Sequence, residues 1–194
     1  MMLWVPICAY LIGSIPFALI VARGLAGVDL RVAGSGNLGA TNVLRTTRPS
    51  LALLAVCLDL AKGIAAVAVA NLAAQNWAPA VAAFAAVAGH VYPMWLRFRG
   101  GKGVAVACGT FSVLAPLATA IAVAIFLTVV WVTRYVSLGS ITAAFLLAPL
   151  MSATGEPRAV VGAAWCTTAL IVFRHRANMW RLMARTERRL GEHA

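Results

Sequence analysis

The residues with the most chemistry to offer fall in two glycine-rich stretches. The first is Gly34-Ser35-Gly36-Asn37-Leu38-Gly39-Ala40-Thr41-Asn42-Val43-Leu44-Arg45. Its glycines and short polar side chains let the backbone fold into a nest of N–H groups, which suits phosphate. Thr41 or Asn42 is placed to cap the helix that follows, whose N-terminus also draws anions. Arg45 adds a forked cation. No GK[ST] follows and no strand precedes, so this is neither a Walker A nor a Rossmann loop. The second stretch is Arg97-Phe98-Arg99-Gly100-Gly101-Lys102-Gly103. It is expected to open an apolar helix with free N–H groups and a point cation, Lys102, beside them. Each has a plainer reading. The first can be a flexible interhelical loop and the second a basic anchor, which suits Arg97 and Arg99 better than Lys102.

Two further segments carry polar groups. Arg134-Tyr135-Val136-Ser137-Leu138-Gly139-Ser140 is weak alone, because serines at a helix start are usually caps. In Arg174-His175-Arg176-Ala177-Asn178-Met179-Trp180-Arg181-Leu182, His175 and Asn178 lie one turn apart. At 100° per residue Arg174, Asn178, Arg181, Arg185 and Arg188 form one stripe. That predicts an amphipathic basic helix at the membrane surface, with Arg181 to Arg189 as anchors. Asp59 and Lys62, at i and i+3, are expected to pair on one helix face, chiefly as a structural ion pair. His90 is expected to be a packing residue.

The elements that must position these groups are membrane spans. Of the 194 residues, 62% are hydrophobic and only 11% charged, and the mean hydropathy is +0.91. A soluble domain carries roughly 25% charged residues, so disorder and a water-soluble fold are excluded. Crossing the hydrocarbon core takes about 20 apolar residues. The runs Met1–Ala22, Leu51–Ala74, Trp77–Phe98 and Arg158–Phe173 fit, and Ser137–Ala153 is short but adequate. Met1–Ala22 lacks a basic n-region and is longer than a signal-peptide core, so no cleavable signal is expected. Cys8, Cys57, Cys108 and Cys166 all lie in apolar stretches and read as small buried hydrophobes without disulfide or metal.

Charge sets the count of spans. The formal net charge is +11, and fourteen of the sixteen Lys and Arg residues lie in segments 23–50, 97–102, 134–136 and 174–194. By the positive-inside rule these segments are cytoplasmic. Segments 97–102 and 134–136 share a side only if two crossings separate them. Residues Gly103–Thr133 would reach roughly 46 Å as one helix, and Pro116 interrupts them. Two short spans turning near Ala115–Pro116 are therefore expected. The fold class is all-α: a polytopic integral membrane protein of seven transmembrane helices, forming one domain (1–194), with the N-terminus outside and the C-terminus cytoplasmic. One long tilted span is the alternative, and it would put Arg134 and the C-terminal arginines outside. The basic excess thus reflects membrane topology, and no nucleic-acid partner is expected.

Four loops on one face converge on an anion beside lipid. No carboxylate dyad exists, and no histidine is followed five positions later by Asp, so the HxxxxD acyltransferase pattern is absent. So is an Asp-rich pattern for divalent metal; no metal and no cofactor is expected. An acyltransferase and a transporter of phosphorylated solutes both remain open. A transporter needs a path across the membrane, whereas the polar motifs here cluster on one face. A lipid-binding scaffold would have no need of Lys102 between glycines.

GSGNLGATNVLR (34–45), Asp59–Lys62 with Gly63, GHVYP (89–93), FRGGKGVA (98–105), RYVSLGSI (134–141) and RHRANMWRL (174–182) together resemble the bacterial acyl-phosphate:glycerol-3-phosphate acyltransferase (PlsY) family over nearly the whole chain. The resemblance implies transfer of a fatty acyl group from acyl phosphate to the 1-hydroxyl of glycerol 3-phosphate, giving lysophosphatidic acid and inorganic phosphate. It implies a seven-span protein of the bacterial inner membrane with its site on the cytoplasmic face. It also implies a functional link to the enzyme that makes acyl phosphate. Matched by motif, Lys102, His175, Ser35 and Asn178 are catalytic positions. Gly36, Asn37, Thr41, Asn42, Arg45, Gly101, Gly103 and Ser140 are substrate- or phosphate-binding positions. In that family a substrate phosphate is thought to take the hydroxyl proton, with His175 the other candidate. Some relatives have glycine where this chain has Arg185, before Thr186-Glu187, which leaves the role of Glu187 open.

Overall fold

The computed structural model describes residues 3–73 and 75–192. Met1, Met2, Ala74, His193 and Ala194 fall outside it, and with them the start of the first apolar run and the end of the second. The described residues form helices and connecting segments, with no strand among them.

The first run folds as two helices, α1 (Trp4–Gly13) and α2 (Phe17–Ala26). Pro16 has no N–H to continue a helix and pushes Ile15 out of the helical region, so the chain breaks there. Gly27 (φ 67°) ends α2 in a left-handed turn, its N–H on Arg23 O and that of Val28 on Ala22 O. A loop then leads to the short α3 (Ala40–Thr46). Pro49 is pre-set for a first helical turn and opens α4 (Pro49–Asn71). Helix α5 (Ala78–Val91) stops at Tyr92, before Pro93, and only a 3₁₀ turn (Met94–Leu96) follows. The expected run to Phe98 is therefore not one helix.

The long uncharged stretch divides where expected, at Ala115. Helix α6 (Val104–Leu114) and α7 (Pro116–Thr133) meet there, with Ala115 at φ −149° and ψ 69°. At about 1.5 Å per residue α6 reaches only ~16 Å, half of a hydrocarbon core. Helices α8 (Val136–Ala153), α9 (Arg158–Arg174) and α10 (Arg176–Met183) complete the chain. Among the described residues, five helical stretches are long and apolar enough to cross a membrane: Trp4–Ala26, Pro49–Asn71, Ala78–Leu96, Pro116–Thr133 and Val136–Ala153.

Small residues let the backbones close up. A Cβ on Gly89 would overlap Tyr10 O, so α1 and α5 touch main chain to main chain; Gly109 does the same against Leu60 O between α6 and α4. Two apolar clusters result. The larger joins α1 and α4 to α9, with Phe111 and Met151 fully buried in it. The smaller packs Leu30, Leu38 and Val43 against α2 and the start of α4, and so seats the first glycine-rich loop. The cysteines depart from expectation. All four are free, but Cys57 and Cys166 are exposed and Cys8 and Cys108 only partly buried. Cys57 and Cys166 face outward from apolar helices, where lipid tolerates a thiol as the core would, whereas Cys108 lines an internal cavity.

Candidate functional site

The first glycine-rich loop is fastened by one side chain. Asn42 is 2% exposed. Its Nδ2 donates to Ala33 O (3.0 Å) and Leu30 O (3.4 Å), and its Oδ1 accepts the Ser35 N–H at 2.9 Å. A Cβ on Gly34 (φ 61°) would overlap that Oδ1, which is why glycine stands there. The expected cap by Thr41 or Asn42 does not form. Both lie inside α3, Gly39 holds the cap position without a side-chain bond, and the Asn42 amide is engaged by the loop instead. With seven residues, α3 offers a weak dipole. Arg45 is half-buried in its last turn.

The second loop is held from outside. The Gly100 N–H donates to Val91 O and the Gly101 N–H to His90 O, both at 3.1 Å. These two N–H groups therefore terminate α5 and are not free for an anion, as the sequence had implied. Arg174 Nη2 donates to Gly100 O at 3.2 Å. Gly103 (φ 88°) begins α6. Between these fixed points Lys102 Nζ donates to Asn178 Oδ1 at 2.6 Å.

The C-terminal segment also departs from expectation. Helix α10 ends at Met183, so the predicted stripe does not continue to Arg185 and Arg188. The chain reverses through Arg185 (φ 56°), with the N–H groups of Thr186 and Glu187 on Arg181 O. Leu190 N–H then bonds Arg134 O at 2.7 Å. The reversal places Glu187, 7% exposed, beneath α10. Its Oε1 accepts Asn178 Nδ2 (2.6 Å) and Ser137 Oγ (2.8 Å), and its Oε2 accepts Arg181 Nε (2.7 Å). A continuous chain thus runs Lys102–Asn178–Glu187, branching to Ser137 and Arg181. Neither Ser137 nor Ser140 caps α8, since Ser140 Oγ donates to Val136 O inside the helix. His175 is buried at the α9–α10 junction. Its Nδ1–H donates to Ile171 O (2.8 Å), which leaves Nε2 as the free nitrogen.

These positions set the charges. Burial lowers the Lys102 ammonium to about 8; Glu187 opposes the shift, and Arg181, Arg45 and Arg174 add to it. Burial, and then the Lys102 charge, lower His175 to about 4, so it is a neutral imidazole at pH 7. Burial raises Glu187, but the donors Asn178, Ser137 and Arg181 together hold it below its usual value.

Two cavities meet at this chain. One, of about 390 Å³, runs between α4, α6, α7 and α8 along side chains such as Val123, Phe126 and Leu147. The other, of about 670 Å³, is ringed by Arg99, Arg174, Arg176, Arg181 and Arg188. Ser35, Asn37, Arg45, Lys102, Asn178 and Glu187 line both. Asn37 Oδ1 is buried there without a hydrogen-bond partner. Thr41, Asn42, Gly103, Ser140 and His175 face the apolar cavity, and Gly36 the cationic one. Gly101 faces neither. The sequence left the role of Glu187 open, did not single out Ser137, and pointed to Arg181 as an anchor. The available signal was that Glu187 is one of only two carboxylates in an arginine-rich tail.

The chain matches the glycerol-3-phosphate acyltransferase family over residues 3–185. It is 43% identical to the glycerol-3-phosphate acyltransferase of Syntrophomonas wolfei over 97% of this chain and 96% of that one. It is 45% identical to that of Thermus thermophilus over 98% and 96%. Its fold is similar to the crystal structure of PlsY (YgiH), an integral membrane glycerol 3-phosphate acyltransferase, in its glycerol 3-phosphate form. The TM-score is 0.92 at 39% identity, covering 97% of this chain and 95% of that one.

Proposed function

This chain belongs to the glycerol-3-phosphate acyltransferase family, and from that premise we propose that it acylates glycerol 3-phosphate with acyl phosphate as the donor. The products are lysophosphatidic acid and inorganic phosphate. The observation that carries this reading is the junction of an apolar and a cationic cavity at Lys102, Asn178 and Glu187. An acyl phosphate has a long apolar tail and an anionic head. Glycerol 3-phosphate is a second anion, and its hydroxyl must meet the acyl carbonyl between the two.

The tail lies in the apolar cavity, past Ser140. The phosphates lie among Arg45, Lys102 and the backbone around Ser35, Gly36 and Gly103. Asn37 Oδ1 accepts from a glycerol hydroxyl, and Thr41 lines the same wall. Holding both substrates this way removes much of the entropic barrier. The 1-hydroxyl oxygen attacks the carbonyl carbon and the carbon–oxygen bond to phosphate breaks. The hydroxyl proton passes to a phosphate oxygen. Lys102 and the Ser35 hydroxyl stabilise the charge that develops, while Asn178 aims the ammonium. With its pKa lowered to about 4, His175 is a poor base at neutral pH, so it positions the donor while substrate phosphate takes the proton. Asn42 and Gly101 shape the loops and do not touch substrate. A mixed anhydride is already activated, so neither metal nor cofactor enters these steps.

The same reading makes the chain a single seven-pass domain of a bacterial inner membrane, N-terminus outside, with the site on the cytoplasmic face. There it takes its donor from an acyl-phosphate-forming enzyme. A cysteine placed at Gln75 is expected to label from outside intact cells. Detergent-purified protein, in excess chelator, should form lysophosphatidic acid and phosphate in equal amounts from acyl phosphate. It should form none from acyl-coenzyme A or acyl carrier protein. Product from a thioester alone would overturn the donor assignment, and activity restored only by Mg²⁺ would overturn the metal-free step.

A further inference from the structure

A buried charge cluster borders the apolar cavity, with Asp59 and His90 on its wall. Asp59 and Lys62 stand one turn apart on α4, 2% and 3% exposed, and pair at 2.8 Å. Lys62 Nζ has two more partners. It donates to Ile15 O at the α1–α2 break (2.7 Å) and to Nδ1 of His90 on α5 (2.9 Å). An Nδ1 that accepts from an ammonium leaves the ring proton on Nε2. That Nε2 edge is packed against Gly101, where an added Cβ would overlap it. The His90 carbonyl meanwhile takes the Gly101 N–H at 3.1 Å. One residue thus grips Gly101 by ring and by backbone, and the next residue in the chain is Lys102.

Holding helices together does not explain this arrangement. Apolar residues of similar volume commonly serve a buried contact as well as an ion pair does, or better. What the charges add is direction: Lys62 fixes the plane of the His90 ring, and the ring fixes the loop.

The geometry points to His90, oriented by the Lys62–Asp59 pair, as a positioning residue that sets Lys102 at the junction of the two cavities. This rests on the acyl-transfer reading for its kinetic readout. Gly101→Ala drives a methyl group into the ring. It is expected to lower kcat by about 10²-fold through displacement of Lys102, with the KM for glycerol 3-phosphate changed by no more than about threefold. Adding His90→Asn should restore about tenfold of that loss. Asn keeps an acceptor for Lys62 Nζ where Nδ1 stood but lacks the ring edge, so the two changes are coupled rather than additive. If Gly101→Ala alone does not fold, the rescue is read as recovery of a cooperative melt in detergent when His90→Asn is added. Wild-type turnover in Gly101→Ala overturns the proposal. So does a double variant no better than Gly101→Ala in both turnover and melting. Wild-type protein inactive on acyl phosphate counts instead against the donor assignment, and the melting comparison then decides the contact.

Discussion

The two glycine-rich loops do similar electrostatic work and are held by opposite means. The first is stapled from within: Asn42 reaches back to Ala33, Leu30 and Ser35. The second has no staple of its own. Its shape comes from α5 through His90 O and Val91 O, and from α9 through Arg174. Its Lys102 ammonium is aimed by Asn178. A self-stapled loop is a fixed cradle, suited to binding a group that does not change during reaction. A loop held at its edges around one buried ammonium suits the place where charge changes.

That contrast fails first, and by most, at Lys102. Lys102→Ala is expected to cut turnover by about 10²–10³-fold, the usual loss for one such donor. Its melting temperature should hardly change, because nothing else in the loop depends on the ammonium. Lys102→Arg should also fail largely, since a fork is not a point charge. Near-normal turnover in Lys102→Ala would reduce the loop to a basic anchor.

Asn42→Ala should show the reverse pattern. It leaves two backbone carbonyls and one N–H without their partner, at a cost of about 1–3 kcal/mol each where water cannot reach. A lower melting temperature is expected in thermal scans, together with a raised KM for glycerol 3-phosphate. Unchanged melting would mean the first loop is not self-supporting. Arg45→Ala leaves that staple intact. It should raise the apparent KM by about tenfold at similar kcat if Arg45 binds ground and transition states alike.

A pH series separates the loops further. Lys102 titrates near 8, so the protonated, active form is lost as pH rises through that value. His175, near 4, is already neutral well below pH 7. The rate is therefore expected to fall by severalfold above pH 8 as Lys102 loses its proton, and to fall below about pH 6 as the substrate phosphate, whose second pKa is about 6, loses its basic dianion. A rate that stays flat down to about pH 5 would contradict phosphate as the base. The smallest effect concerns Arg185, an exposed residue at φ 56°. Arg185→Gly should relieve left-handed strain and stabilise the reversal by up to about 1 kcal/mol, read as a higher melting temperature with unchanged activity.

The same contrast explains what could be read in the sequence. Periodicity, proline and charge gave the helical fold, the break at Ala115–Pro116 and most loop residues at the site, because those signals are local. Asn42 lies within its own loop, and its neighbourhood was legible even though its role as a staple rather than a cap was not. The partners of the second loop lie far off in sequence. Asn178 is 76 residues from Lys102, and Glu187 reaches Ser137 over 50. The break at Pro16 looked like part of one span, because apolarity alone does not register a missing N–H. The reversal at Arg185 was invisible because an arginine stands where glycine would have signalled the turn.

The most direct test of the two-cavity site is a structure of this protein with glycerol 3-phosphate bound. The phosphate is expected at the junction, within hydrogen-bond distance of Arg45 and the backbone around Ser35 and Gly36, with the 1-hydroxyl turned toward the apolar cavity beside Asn37. A phosphate held at the outer rim by Arg176 and Arg188, away from Arg45, would contradict it.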